Sequence, residues 1–363
     1  MTQTTKVLTM SIILKSVYQR MLVNNIQFMR IPSLLLTLIL VCSFQTKAQK
    51  LSEAQQIALM TKLVQQYNPE GHLILEHLSK LPKKFKINQT TITTGSITKP
   101  ERWLSGNSPE DIRTSLNTVI HESSHSFTSY YGYQMLSENP PKDYQFGDDY
   151  SAFLINTQDI TLLKHTEIFN SNELKKDIPK ELRTFRFNPY ITPKSNLGSQ
   201  KQGIYGLLDE YNAYYQGILM SYRLFPVYQE MGENDPSAYH DYIQNMSSDR
   251  LAFYEFKYFI LAYLNRAKHE YPEIYQGLLD NTSLRRAYQE IHNSYEELLN
   301  AHDERLKELM TKLNGQNIES YIEGDYFYIE NRGIGMNVSE ISVLKSELLK
   351  PKYISLQKEF LIN

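Results

Sequence analysis

The stretch from Ser108 to Gly132 constrains the fold more than any other part of the chain, because it carries a complete set of helix signals. Ser108, Pro109, Glu110 and Asp111 supply a capping hydroxyl, a proline at the first helical position and two acids beside the positive helix start. Beyond them Ile112, Leu116, Val119, Ile120, Phe127 and Tyr131 recur at helical intervals on one face, and Gly132 reads as the stop. The spacing therefore predicts a helix over about 109–131. The opposite face is small and polar, with Thr114, Asn117, Thr118, Thr128 and Ser129.

The surrounding pattern is mainly helical. Between Phe85 and Ile97 threonine and isoleucine alternate in part, bounded by Pro82 and Pro100, which favours strands or a hairpin. Residues 138–149 and 188–202 are rich in proline and glycine and read as loops. A second strong helical pattern runs from Ile204 to Tyr222. From Pro236 to Leu313 apolar and charged residues alternate at helical spacing, which predicts two or three core helices with a break at 280–283. Past Gly315 the character is mixed, with Tyr326 to Ile329 strand-like and Gly333 to Gly335 a turn. No repeat or flexible linker interrupts this order. The fold class expected is mainly α with a small β region (α+β), one domain over 49–363 with an N-terminal lobe of about 49–135 and a helical lobe of about 200–313.

Charge and composition exclude several functions. The 38 lysines and arginines nearly balance 40 aspartates and glutamates, so no basic field exists to gather nucleic acid. From Met29 a positive residue, the apolar run Ile31 to Phe44 and a small residue at Ala48 follow the three-part pattern of an export signal. The apolar run is shorter than the roughly 20 residues a bilayer span needs. The expected organisation is thus an upstream segment and signal over 1–48, with the signal at 29–48, and a mature chain that works in the periplasm, cell envelope or outside the cell without stable membrane insertion. The single cysteine, Cys42, falls in the removed part, so any metal site must draw on His, Asp and Glu.

Such a site is written into the first long helix as His121, Glu122, Ser123, Ser124 and His125, an HExxH motif. Residues four apart lie on one helix face, so both imidazoles can meet one Zn2+ ion, while the glutamate between them addresses water at the metal. A catalytic zinc needs a third protein ligand. The metzincin extension is absent, because Thr128 and Tyr131 occupy its glycine and histidine places. Tyr144 and Gln145 stand where thermolysin-like enzymes carry their glutamate. The best candidate is Glu210, on a helical stripe with Gly203, Gly206, Ala213, Tyr214, Gly217 and Ser221, whose small side chains let another helix approach. Asp148 or Asp149 is the alternative third ligand. His72, Glu76 and His77 have the wrong spacing for an inverted motif, and His165, His240, His269, His292 and His302 read as structural. Lys80, Lys83, Lys84 and Lys86 read as a solvated edge, and most of the 27 tyrosines as amphipathic core.

These residues resemble the zinc metallopeptidases of gluzincin type, in which HExxH on one helix is completed by a glutamate on a later one. Within that group, families with an ExxAD ligand segment are similar to Glu210, Tyr211, Asn212, Ala213 and Tyr214. The resemblance implies a zincin-like, two-lobed metallopeptidase architecture, His121, His125 and Glu210 as zinc ligands and Glu122 as general base. Tyr214 replaces the aspartate that would orient a ligand histidine; Asp209 is then the candidate for that task, and Tyr214 a candidate hydroxyl donor to a developing oxyanion. The function expected is an exported zinc-dependent hydrolase of peptide or protein substrates. Strands near Thr90 to Ile97 offer an edge for an extended peptide. The alternatives are a zinc hydrolase of non-peptide substrates and a non-catalytic binding protein of the cell envelope on the same scaffold.

Overall fold

In the computed structural model of the chain, which describes residues 50–87, 89–96, 98–192 and 198–362, the early helices begin where a side chain answers a free backbone N–H. The expected signal at 29–48 lies outside the described residues. Ser52 and Gln55 form a capping box at the start of α1 (Glu53–Tyr67). Asn68 accepts from the Gly71 N–H to open α2 (Pro69–Lys80). A hairpin follows, β1 (Lys84–Ile87) against β2 (Thr90–Thr93), with Phe85 opposite Ile92. The strongest sequence signal forms as written: Asp111 N–H donates to Ser108 Oγ at 3.1 Å, Ser108 N–H donates to Asp111 Oδ2 at 2.8 Å, and α3 (Pro109–Ser126) begins there.

The far end of that helix departs from the sequence reading. The rod does not stop at Gly132. A π-helical turn, Phe127–Tyr131, leads into α4 (Gly132–Glu138), which ends only at Asn139. Gly132 has right-handed helical angles and serves contact instead: a Cβ there would lie 3.1 Å from the Ala152 backbone nitrogen. Ala152 belongs to β3 (Tyr150–Asn156), which pairs antiparallel with β4 (Asp159–Lys164). The loop expected over 138–149 is a loop from Asn139 on, Glu138 being the last residue of α4.

Helical turns at Phe187–Tyr190 and Gly198–Lys201 punctuate the second expected loop. Five helices then build the centre: α5 (Gly203–Arg223), α6 (Phe225–Gly232), α7 (Ala238–Glu270), α8 (Pro272–Asp280) and α9 (Thr282–Gly315). Asn281 makes the expected break and caps α9 through the Leu284 N–H. A further break at Tyr271 precedes Pro272, whose ring has no N–H to continue α7. In the tail, β5 (Ser320–Glu323), β6 (Tyr326–Ile329) and β7 (Arg332–Gly335) form an antiparallel sheet. The turn expected at Gly333 to Gly335 is therefore strand. Gly333 lies opposite Tyr328, whose ring fills the space a side chain would take, and the turn falls at Glu330 with φ 53°. Helices α10 (Val338–Leu348) and α11 (Pro351–Phe360) close the chain.

The result is a mostly helical α+β fold with small antiparallel sheets. Residues from Lys50 onward form one compact unit around α5 and α7. Many buried tyrosines here carry a hydroxyl partner: Tyr263 donates to Phe169 O at 2.8 Å, Tyr295 to Asp249 O at 2.6 Å, and Tyr211 lies 3.0 Å from His292 Nδ1. Among the described residues no helix is long and apolar enough to cross a membrane.

Two core histidines make stability pH-dependent. Burial, with Lys257 beside one and Arg250 beside the other, pushes His292 and His302 from 6.5 down to about 3. Their neutral rings are favoured in the folded state, so stability is complete above about 6.5 and is lost as pH falls towards about 3. Each is expected to remove about 2 kcal/mol between pH 7 and pH 5. Neither ring nitrogen of His302 has a hydrogen-bond partner, so His302→Leu forfeits no bond. Urea unfolding of this variant at the two pH values should show a pH loss smaller by about 2 kcal/mol than in the parent protein. An unchanged loss would show that the His302 ring is not held neutral.

Candidate metal centre

Two helices meet to make the site. Helix α3 carries His121 and His125 one turn apart on one face. Helix α5 crosses it at Gly217, where a Cβ would lie 2.8 Å from Asn117 Oδ1 and 3.2 Å from the Asn117 backbone oxygen, so a larger residue would have to displace the Asn117 side chain. Asn117, one turn before His121, ties the crossing down by donating to Ser221 Oγ at 3.0 Å and Asp249 Oδ2 at 2.7 Å. The small stripe inferred for α5 is thus used for close approach, and Glu210 on that stripe is buried rather than solvated.

The contact brings three donor atoms together. His121 Nε2 and His125 Nε2 are 3.2 Å apart; Glu210 Oε2 lies 3.3 Å from the second and 3.9 Å from the first. Ligands at the usual bond length from a tetrahedral zinc stand about 3.3 Å from one another, so these spacings fit one ion. Glu210 is 8% exposed, and its buried Oε2 has the His125 ring at 3.3 Å as its nearest polar neighbour among the described contacts. Such an atom is destabilising unless a cation or donor satisfies it.

Neighbouring groups orient both rings. Asp209 Oδ2 sits 2.7 Å from His125 Nδ1, which leaves Nε2 for the centre. The backbone of Ala213 accepts a hydrogen bond from His121. Burial, the charge of His125 and Arg186 hold His121 well below 6.5. Burial also opposes charge on His125, but the Asp209 and Glu210 carboxylates outweigh it and hold that ring well above 6.5.

Glu122 points to the open side. It is half-buried, and burial raises its pKa, with Glu210 adding to the rise and His125 opposing it. With His125 it lines a cleft of about 650 Å3. One wall is β2, through Thr91, Ile92 and Thr93. This strand pairs only with β1, so its outer edge is free among the described residues.

Tyr214 packs edge-on against His121 with ring centres 4.5 Å apart, and its hydroxyl lies 2.9 Å from that of Tyr190. The bond to Tyr190 competes with the oxyanion role inferred for Tyr214. Asp148 and Asp149 are engaged elsewhere: Asp148 pairs with Lys164 at 2.7 Å, and Asp149 accepts from Tyr133 at 3.4 Å. Glu76 pairs with Lys80, and His77 packs on Tyr131. His165 is stacked on Tyr205 and His269 bonds to Asn265 O.

Sequence reasoning missed Arg186, Tyr190, Arg102 and Trp103. Arg186 is almost wholly buried; it bonds to Glu255 at 2.8 Å and stacks at 4.3 Å on the Tyr214 ring behind His121. Nothing in its local sequence signals this, since its partners come from distant helices. No family model matches this chain, and neither a curated protein nor a solved structure does.

Isothermal titration of the metal-free protein with zinc should give one equivalent. Glu210→Ala is expected to abolish tight binding, Asp149→Ala to leave it intact, and Asp209→Asn to weaken it by about 10- to 100-fold. Loss of zinc in the Asp149 variant with retention in the Glu210 variant would reverse the ligand assignment.

Proposed function

We propose that this chain is an exported zinc-dependent hydrolase, a metallopeptidase with a zincin-like arrangement of an HExxH helix from the N-terminal lobe against a glutamate-bearing helix from the helical lobe. The observation that carries the reading is the convergence of the buried Oε2 of Glu210 on the two Nε2 atoms, at 3.3 and 3.9 Å. His121, His125 and Glu210 would hold one Zn2+ ion. When bound, zinc supplies Lewis acidity, which acidifies water and polarises a carbonyl.

The remaining work belongs to the chain's own side chains. Glu122 takes the proton of the attacking water and later returns it to the leaving amine; the pKa raised by burial brings it closer to the working pH for both transfers. Asp209 holds the His125 ring in one tautomer. The free edge of β2 supports an extended peptide or protein substrate, whose backbone would pair along Thr91 to Thr93 with its carbonyl carried over Glu122. The export pattern at 29–48 supports work in the periplasm, at the cell envelope or outside the cell.

The test separates binding from chemistry. Glu122→Gln should retain one equivalent of zinc while peptide hydrolysis by the zinc-loaded protein falls by about 100-fold or more. Full hydrolysis by that variant would remove Glu122 from the role of base. Failure of the zinc-loaded parent to cut any member of a peptide library would overturn the peptidase reading.

A further inference from the structure

The cleft in front of Glu122 carries one feature that the hydrolytic machinery does not use. The helical turn Pro100–Trp103 places Arg102 and Trp103 on its wall. Trp103 is the only tryptophan in the chain. The Arg102 guanidinium lies 4.8 Å from the centre of its ring, a distance at which the ring face attracts the cation. Arg102 is exposed. Its neighbour Lys99 is within ion-pair reach of Glu101 at 3.9 Å.

The electrostatic setting makes this arginine distinctive. Thr91, Thr93, Ser126, Ser129, Tyr130 and Tyr133 on the cleft wall carry no charge at neutral pH. Glu122 and His125 are committed to the centre. Arg102 is therefore the one permanently charged cation among the described residues that line the cleft. A guanidinium stacked on an indole has lost much of its rotational freedom while keeping its N–H fork open, the arrangement that recognises a carboxylate by two parallel hydrogen bonds. A strand laid along β2 projects alternate side chains into the cleft, so a side chain near the scissile bond comes to this wall.

Resting on the peptidase reading above, the geometry points to Arg102, seated on Trp103, as the residue that selects the substrate: a peptide with a glutamate or aspartate side chain beside the bond carried over Glu122. The hydroxyl-rich remainder of the wall accepts neutral neighbours, and a lysine or arginine at the selected place is disfavoured by like charge.

The test uses dye-labelled peptides that differ only by glutamate or glutamine at each position flanking the cut. Affinity is read by anisotropy on zinc-loaded E122Q protein, and kcat/KM on the zinc-loaded parent. At one flanking position the acidic peptide should bind about fivefold more tightly. Arg102→Gln should erase that difference, and Arg102→Lys should keep part of it. Quenching of Trp103 emission by the acidic peptide would locate the contact. Equal or absent binding of both peptides overturns the inference, as does a preference that survives Arg102→Gln. Cleavage of both peptides at equal kcat/KM, with Arg102→Gln unchanged, overturns it while leaving the peptidase reading in place. A preference that depends on Arg102, without cleavage of any peptide, sinks the peptidase reading and leaves acidic-peptide recognition standing.

Discussion

The crossing of α3 and α5 at Gly217 governs the rest of the structure. The two helices touch through Asn117 and the bare backbone of Gly217, and Asn117 is pinned to Ser221 on one partner and Asp249 on α7. Because helices are stiff, a separation fixed at this point fixes the relation of side chains further along both. His121 and His125 face Glu210 at bonding distance for a cation because that crossing is close. The same network reaches the far side through Arg186, which pairs with Glu255 at 2.8 Å and lies 3.6 Å from Asp249 in the core and packs against Tyr214. The polar core therefore does a positioning task that apolar packing alone does less specifically.

Local signals were legible in the sequence, and distant ones were legible only when they left a compositional trace. The Ser108 cap and the HExxH motif depend on residues within one or two turns, so spacing suffices to read them. That Glu210 would lie near the two histidines was legible because close approach demands small neighbours, and the glycines of α5 advertise that demand. Asp209 was legible as the neighbour of that glutamate, and it reaches His125. Arg186, Tyr190 and Arg102 left no such trace, since a single charged or aromatic residue in a loop acquires its role only from what folds against it.

The misread glycines share one physical cause. Glycine ends helices by adopting left-handed angles and also admits close neighbours by lacking a side chain, and sequence does not distinguish the two uses. Gly132 was read as a helix stop and Gly333 as part of a turn, and both act in the second way, against β3 and the Tyr328 ring. The β3–β4 hairpin and the helices after the tail sheet escaped for another reason: their patterns are short, and their stability comes from the core they cover.

The π-helical turn Phe127–Tyr131 begins two residues after His125. A wider turn of this kind amounts to one residue inserted into an otherwise continuous rod, shifting the angular phase of everything downstream by about 100°. Upstream, both imidazoles keep α-helical phase; within the turn Phe127 and Thr128 are buried and Tyr130 lines the cleft, and Tyr133, just beyond it, lines the cleft too. The chain thereby uncouples two design problems that a uniform helix would lock together. An insertion or deletion within these five residues would re-aim the wall of the cleft while the helical phase of His121 and His125 stays untouched.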